Sequence, residues 1–114
     1  MKQKQVILSN EALELVAARF RILGEPMRLK LLRALLERER TVTELIELTK
    51  GTQANVSKHL NLLTQAGLLG RRKEGLHVYY SIADVSIFEL CQMVCGRLRE
   101  QFEQQAKAFS SSRF

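Results

Sequence analysis

The spacing of apolar residues changes twice along this chain, and those changes limit its fold more tightly than anything else in it. Up to Ala66 they recur three and four apart, the period of a helix. From Leu68 to Ile82 they follow a two-residue rhythm, and after Asp84 the helical spacing returns. Local signals divide the first stretch into four helices. Asn10 is suited to cap a helix from Glu11, with Leu13, Val16, Ala17, Phe20 and Leu23 on one face and Gly24 ending it. Pro26 suits the first turn of a second helix, to about Glu39, whose stripe is Leu29, Leu32, Leu35 and Leu36. Thr41 and Glu44 form a capping box that opens a short third helix burying Leu45, Ile46 and Leu48. Lys50-Gly51-Thr52 breaks it, with Gly51 suited to the left-handed conformation after a helix end. Thr52 then caps a fourth helix from Gln53 to about Ala66, with Val56, Leu60 and Leu63 inside and Gly67 as its stop.

Strands over Leu68–Lys73 and Leu76–Ile82 flank a tight turn at Glu74-Gly75, and Leu76, Val78, Tyr80 and Ile82 share one face. Asp84 can cap a last helix from Val85 to about Lys107. At 114 residues and 13.1 kDa this is one domain, expected over 1–109, with Ser110-Ser111-Ser112 inside a frayed tail, 110–114. The core of such a chain is modest, so a core shared between subunits is expected. Apolar residues at 46% exclude disorder for the bulk of the chain. No apolar run approaches the length of a bilayer span, and Val6-Ile7-Leu8 is too short for a signal-peptide core. Two cysteines make no disulfide framework, so a reducing cytoplasm is expected.

The net charge is +6, but its distribution says more. Between residues 50 and 82, Lys50, Lys58, Arg71, Arg72 and Lys73 face only Glu74, and from Lys50 to Lys73 there is no acidic residue. Such an excess suits a face that binds a polyanion, although a merely solvated basic surface would look the same. The third and fourth helices supply the missing context. Two short helices joined by a Gly-containing turn form a helix-turn-helix, whose second helix lays its N-terminal part in the DNA major groove. Gln53, Asn55, Ser57 and Lys58 are expected to be exposed there, and Gln and Asn can each pair with adenine. Arg71, Arg72 and Lys73 lie beside the hairpin turn, placed like a wing that grips phosphate. No Ser-His-Asp, paired-carboxylate or phosphate-loop pattern is present, so no enzymatic activity is expected.

Leu23-Gly24-Glu25-Pro26-Met27-Arg28-Leu29, Asn55-Val56-Ser57-Lys58-His59-Leu60, Ala66-Gly67-Leu68-Leu69 and Val78-Tyr79-Tyr80 resemble the ArsR/SmtB family of winged helix-turn-helix repressors. The resemblance spans roughly residues 12–100. It implies a mainly α fold with a β-hairpin wing, and a homodimer joined through the first and last helices. It also implies binding to an operator in double-stranded DNA and release when an inducer binds, often a metal or metalloid; a dimer of such helices is expected to take an inverted-repeat site. It places Gln53, Asn55, Ser57, Lys58 and His59 on the recognition helix and Arg71–His77 in the wing.

The effector sites depart from the family pattern. Where many metal sensors carry Cys-x-Cys, this chain reads Glu44-Leu45-Ile46-Glu47-Leu48. The positions matching the zinc site of the last helix are Asp84, Ser86, Arg97 and Glu100, without either histidine, and the second-helix position of the redox pair is Arg33. What remains is Cys91 and Cys95, four apart on a face that runs Phe88, Cys91, Cys95, Leu98, Phe102. They either fill a dimer seam as small hydrophobes, or form a thiol site for As(III), Sb(III), Zn(II) or Cd(II), or a redox switch. Three readings stay open: a repressor with such an inducer, a DNA-binding regulator with no metal effector, and a helical interaction protein that has lost DNA binding.

Overall fold

The structure, a computed structural model, describes residues 8–103. Its elements are α1 (Asn10–Leu23), α2 (Pro26–Glu37), β1 (Arg40–Thr41), α3 (Val42–Thr49), α4 (Gln53–Gln65), β2 (Leu69–Glu74), β3 (His77–Ile82) and α5 (Ser86–Gln101). The expected order of helices, hairpin and closing helix is therefore observed, with one strand added. The expected stretch of the last helix to Lys107 and the tail at 110–114 lie outside the described residues.

The added strand follows from where α2 stops. Arg38 is extended (φ −172°, ψ 169°), so the helix ends at Glu37, two residues before the sequence signal suggests. Arg40 and Thr41 then pair with Tyr80 and Tyr79, giving an antiparallel sheet of order β1-β3-β2. Two residues are too short for any periodicity to announce a strand. On the other edge β2 and β3 pair from Leu69–Ile82 to Glu74–His77. The loop between them is thus Gly75-Leu76, one residue later than expected. Gly75 takes φ 62° at its first position, which suits glycine, and Leu76 is 98% exposed at the tip instead of inside a strand.

Caps fix the helix starts. Ser9, not Asn10, caps α1: its backbone is extended and its Oγ accepts the Ala12 N–H at 3.1 Å. Glu25 caps α2 ahead of Pro26, and the Thr41–Glu44 box opens α3 with both of its hydrogen bonds made. At α5 the Asp84 carboxylate accepts the Ser86 backbone N–H at 3.0 Å, so the expected capping residue acts from two positions ahead of the helix.

The core lies where α2, α3, α4 and the sheet meet. Leu31, Leu32, Leu45, Val56, Leu60, Leu63 and Leu68 are fully buried, and Leu35, Leu69, Tyr80 and Ile87 close it. Two expectations change here. Leu31 joins the α2 stripe, whereas Leu36 is only half-buried. Leu48 is exposed on α3, because Thr49 turns inward instead and its hydroxyl donates to the Leu45 carbonyl at 2.7 Å. Among the described residues no helix is long and apolar enough to cross a membrane.

Candidate nucleic-acid interface

The turn between α3 and α4 sets the pose of α4. The left-handed residue is Lys50 (φ 58°), whose N–H bonds the Ile46 carbonyl, not Gly51 as expected. Gly51 is needed for space: a Cβ there would sit 2.9 Å from Cγ2 of the buried Val56 and 3.2 Å from Cε of Met27. The turn thereby packs directly against Val56, the first core residue of α4. Thr52 caps it as expected, accepting the Asn55 N–H at 3.1 Å.

With Val56, Leu60 and Leu63 inward, helical geometry fixes what faces out. Ala54, Lys58 and Asn61, at i, i+4 and i+7, lie opposite the buried stripe and are all exposed. Gln53 is exposed and Ser57 half-buried on one flank, and Asn55 is exposed on the other. Gln53, Asn55, Ser57 and Lys58 are the residues expected there. Ala54 and Asn61 are additions to that set, and projecting the apolar stripe onto a helix is the signal that finds them. The amides of the first turn add a fixed positive potential at this end.

His59 is placed elsewhere. It lies three residues after Val56 and four before Leu63, inside the buried arc, and only 6% of it is exposed. Its Nδ1 accepts a hydrogen bond from Arg28 Nη1 at 3.1 Å, and its Nε2 lies 3.9 Å from Glu25 Oε2. The structure therefore does not bring His59 to the exposed face of α4 with Lys58.

The wing cations are also split. Directly paired strand residues share a face, so Arg71 lies with Tyr80 and Lys73 with Val78, whereas Arg72 lies with Tyr79 on the other face. Arg72 donates to Glu39 at 2.6 Å and pairs with Glu74, and its guanidinium stacks 4.5 Å from the Tyr79 ring centre. The hydrogen bonds to Glu39 and then Glu74 push its pKa further up. Arg71 and Lys73 are exposed, and the acidic residues beside the wing, Glu39 and Glu74, are both paired with Arg72. The wing therefore offers two cations outward and uses the third to brace itself against the chain before β1.

Between α5, α1 and α2, Cys91 and Cys95 line a cleft of about 310 Å³ with Phe20, Leu23, Leu29 and Leu98. Burial, and then the neighbouring Cys95, push the Cys91 thiol up, which disfavours the thiolate a soft ion needs. Among the described residues no group of three or more His, Cys, Asp or Glu converges, so one chain by itself does not fit a complete ion site.

Comparison with known proteins agrees with this geometry. The family profile described as bacterial regulatory protein, arsR family, matches residues 25–70. A transcriptional repressor SmtB homolog from Synechocystis is 33% identical over 94 residues, which cover 82% of this chain and 71% of that protein. A probable mercury resistance operon repressor from Streptomyces lividans is 38% identical over 74 residues; these cover 65% of this chain and span 59% of that repressor's length. The solution structure of a homodimeric winged helix-turn-helix DNA-binding domain from Mycobacterium bovis matches with a TM-score of 0.70 at 30% identity, over 82% of this chain and 93% of that one.

Proposed function

This chain belongs to the arsR family of bacterial regulatory proteins, DNA-binding regulators of transcription with no enzymatic role, and from that premise we propose that it is a homodimeric cytoplasmic repressor. In this reading α4 enters the major groove and the wing flanks it on the phosphate backbone. The observation that carries it is the outer side of α4, which presents exposed Gln53, Asn55 and Lys58 and half-buried Ser57 in a stretch without acidic residues, with exposed Arg71 and Lys73 on the wing. Gln53 and Asn55 read bases, Lys58 and the wing cations hold phosphates, and Arg72 keeps the wing in place. A dimer through α1 and α5 accounts for the exposed Leu13, Val16, Phe20, Phe88, Val94 and Phe102. The homodimeric relative supports it.

Salt titration of operator binding tests the division of roles. Arg71→Ala should flatten the log–log salt slope by about 0.9 for each phosphate that is no longer neutralised. Arg72→Ala, whose charge is already paired, should change the slope less. Gln53→Ala and Asn55→Ala should instead relax base preference, at about 1–3 kcal/mol for each paired hydrogen-bond set removed. Wing variants that change the preferred bases would overturn this assignment.

Cys91 and Cys95 supply half of a soft-ion site, and pairing across a two-fold axis would supply four sulfurs, the set that Zn(II) or Cd(II) takes. A relative named for mercury resistance supports an effector of that kind. The Cys91→Ala/Cys95→Ala protein should bind the operator yet ignore As(III), Sb(III), Zn(II), Cd(II) and oxidants that release the wild type. If the wild type ignores them too, the cysteines only pack the cleft and regulation has no metal effector.

A further inference from the structure

A partly buried polar cluster lies beneath the recognition helix, away from its exposed face. Arg28, in the first turn of α2, reaches three places at once. Its Nε donates to the Ile22 carbonyl at 2.6 Å, its Nη2 to the Arg21 carbonyl at 3.5 Å, and its Nη1 to His59 Nδ1 at 3.1 Å. Ile22 and Arg21 close α1, and Leu23, Gly24 and Leu29 beside them line the apolar cleft. His59 is the only polar side chain of α4 in the buried arc. The guanidinium thus ties the last turn of α1 to the middle of α4.

We propose that His59 is a positioning residue for operator binding: as an unprotonated acceptor it lets Arg28 hold α4 at a fixed angle to the end of α1. The chemistry sets its protonation state. A guanidinium only donates, so Nδ1 must carry the lone pair and Nε2 the hydrogen, which faces Glu25. Protonation would put a second donor against Arg28 and two positive charges side by side. Glu25 sits on the other edge of the ring and offsets part of the charge but cannot restore the bond. Its carboxylate is already held in place by the Arg28 backbone N–H at 2.9 Å. Lys58, next along α4, is exposed. With the clasp open, α4 is free to tilt, and the two recognition helices of a dimer lose their common spacing.

The inference rests on the DNA-binding reading, and its test separates the two. The probe is the duplex that wild-type protein enriches most from a random-sequence pool at about pH 8, with a scrambled duplex as the non-specific reference. Lower pH adds positive charge, so scrambled-duplex affinity should rise or hold, whereas an opened clasp should lower affinity for the enriched duplex. From about pH 8 to about pH 5.5 wild-type specificity should fall about tenfold, as for one hydrogen bond broken in each subunit. The chain has two histidines, so the profile can be assigned. His59→Gln keeps an acceptor that does not titrate, and should bind like the wild type at the higher pH with a flat profile. His77→Gln should keep the wild-type profile. His59→Leu should lose specificity at both values, with circular dichroism showing it folded. A wild-type profile kept by His59→Gln, or full specificity in folded His59→Leu, would overturn the proposal while leaving DNA binding intact. Failure of the wild type to enrich any sequence would instead overturn the DNA-binding reading.

Discussion

The inner layer of this protein and its two outer helices are made of the same residue types and end in opposite states. In α2, α3 and α4 the leucines of the apolar stripes are sealed: Leu31, Leu32, Leu45, Leu60 and Leu63 have no exposed surface. In α1 and α5 the stripes are equally regular, yet Phe20 is 57% and Phe102 47% exposed. Periodicity says that a helix has an apolar face, not which molecule covers it. The inner faces are covered by the chain itself and set the pose of α4. The outer faces are available to a second copy, and their packing sets the distance between two such poses.

Substitutions sharpest for this contrast come in pairs. Leu60→Ala should lower stability by about 2–5 kcal/mol, because the closed core cannot collapse around the gap. Phe102→Glu should barely move the unfolding of the separated chain but should convert the dimer to monomer in sedimentation. Equal losses of stability from both would erase the distinction. A smaller effect is expected at the turn. Gly51→Ala forces a methyl group against Val56 and Met27 and should cost about 1–3 kcal/mol, with weaker operator binding than the stability loss alone explains. An unchanged melting temperature would show that the turn has slack.

Much of this division is legible in the sequence, and the failures have physical reasons. The Thr41–Glu44 box and the Thr52 cap are local, so their residues announce them directly. The strand at Arg40–Thr41 is a tertiary event, created by pairing with Tyr79 and Tyr80, and nothing in two residues encodes it. His59 reads as a polar recognition-helix residue until its offset from Val56 and Leu63 is projected onto the helix. The partner that makes its burial tolerable, Arg28, is 31 residues away. Arg71, Arg72 and Lys73 read as one basic run, but strand alternation sends the middle one to the other face. Cys91 and Cys95 fall on the helix face expected, and the cleft they line joins α5 to α1 and α2.

The smallest expected effect lies in the inner layer's surface. The Thr41 backbone N–H, and then Arg38, hold the Glu44 carboxyl down to about 2, from an ordinary 4.5. A carboxyl depressed on folding contributes stability above 4.5 and loses it as pH falls to about 2. The side chain is about a third exposed, so screening keeps the contribution to no more than about 1 kcal/mol. Glu44→Gln should flatten the acid limb of stability in that window and leave operator binding at neutral pH untouched. An unchanged acid limb would place the loss in other carboxylates.

The central claim is that a rigid inner layer presents the face of α4 to bases while the outer helices fix the spacing of two such faces. Selection from a random-sequence duplex pool, run in parallel on wild type and Asn55→Ala, tests it most directly. The wild type should enrich an inverted repeat with half-sites about 10 bp apart or a multiple of that. Asn55→Ala should enrich the same spacing with relaxed preference at one position in each half-site. A wild type that enriches nothing, or an Asn55→Ala protein that enriches the identical sequence, would contradict the account.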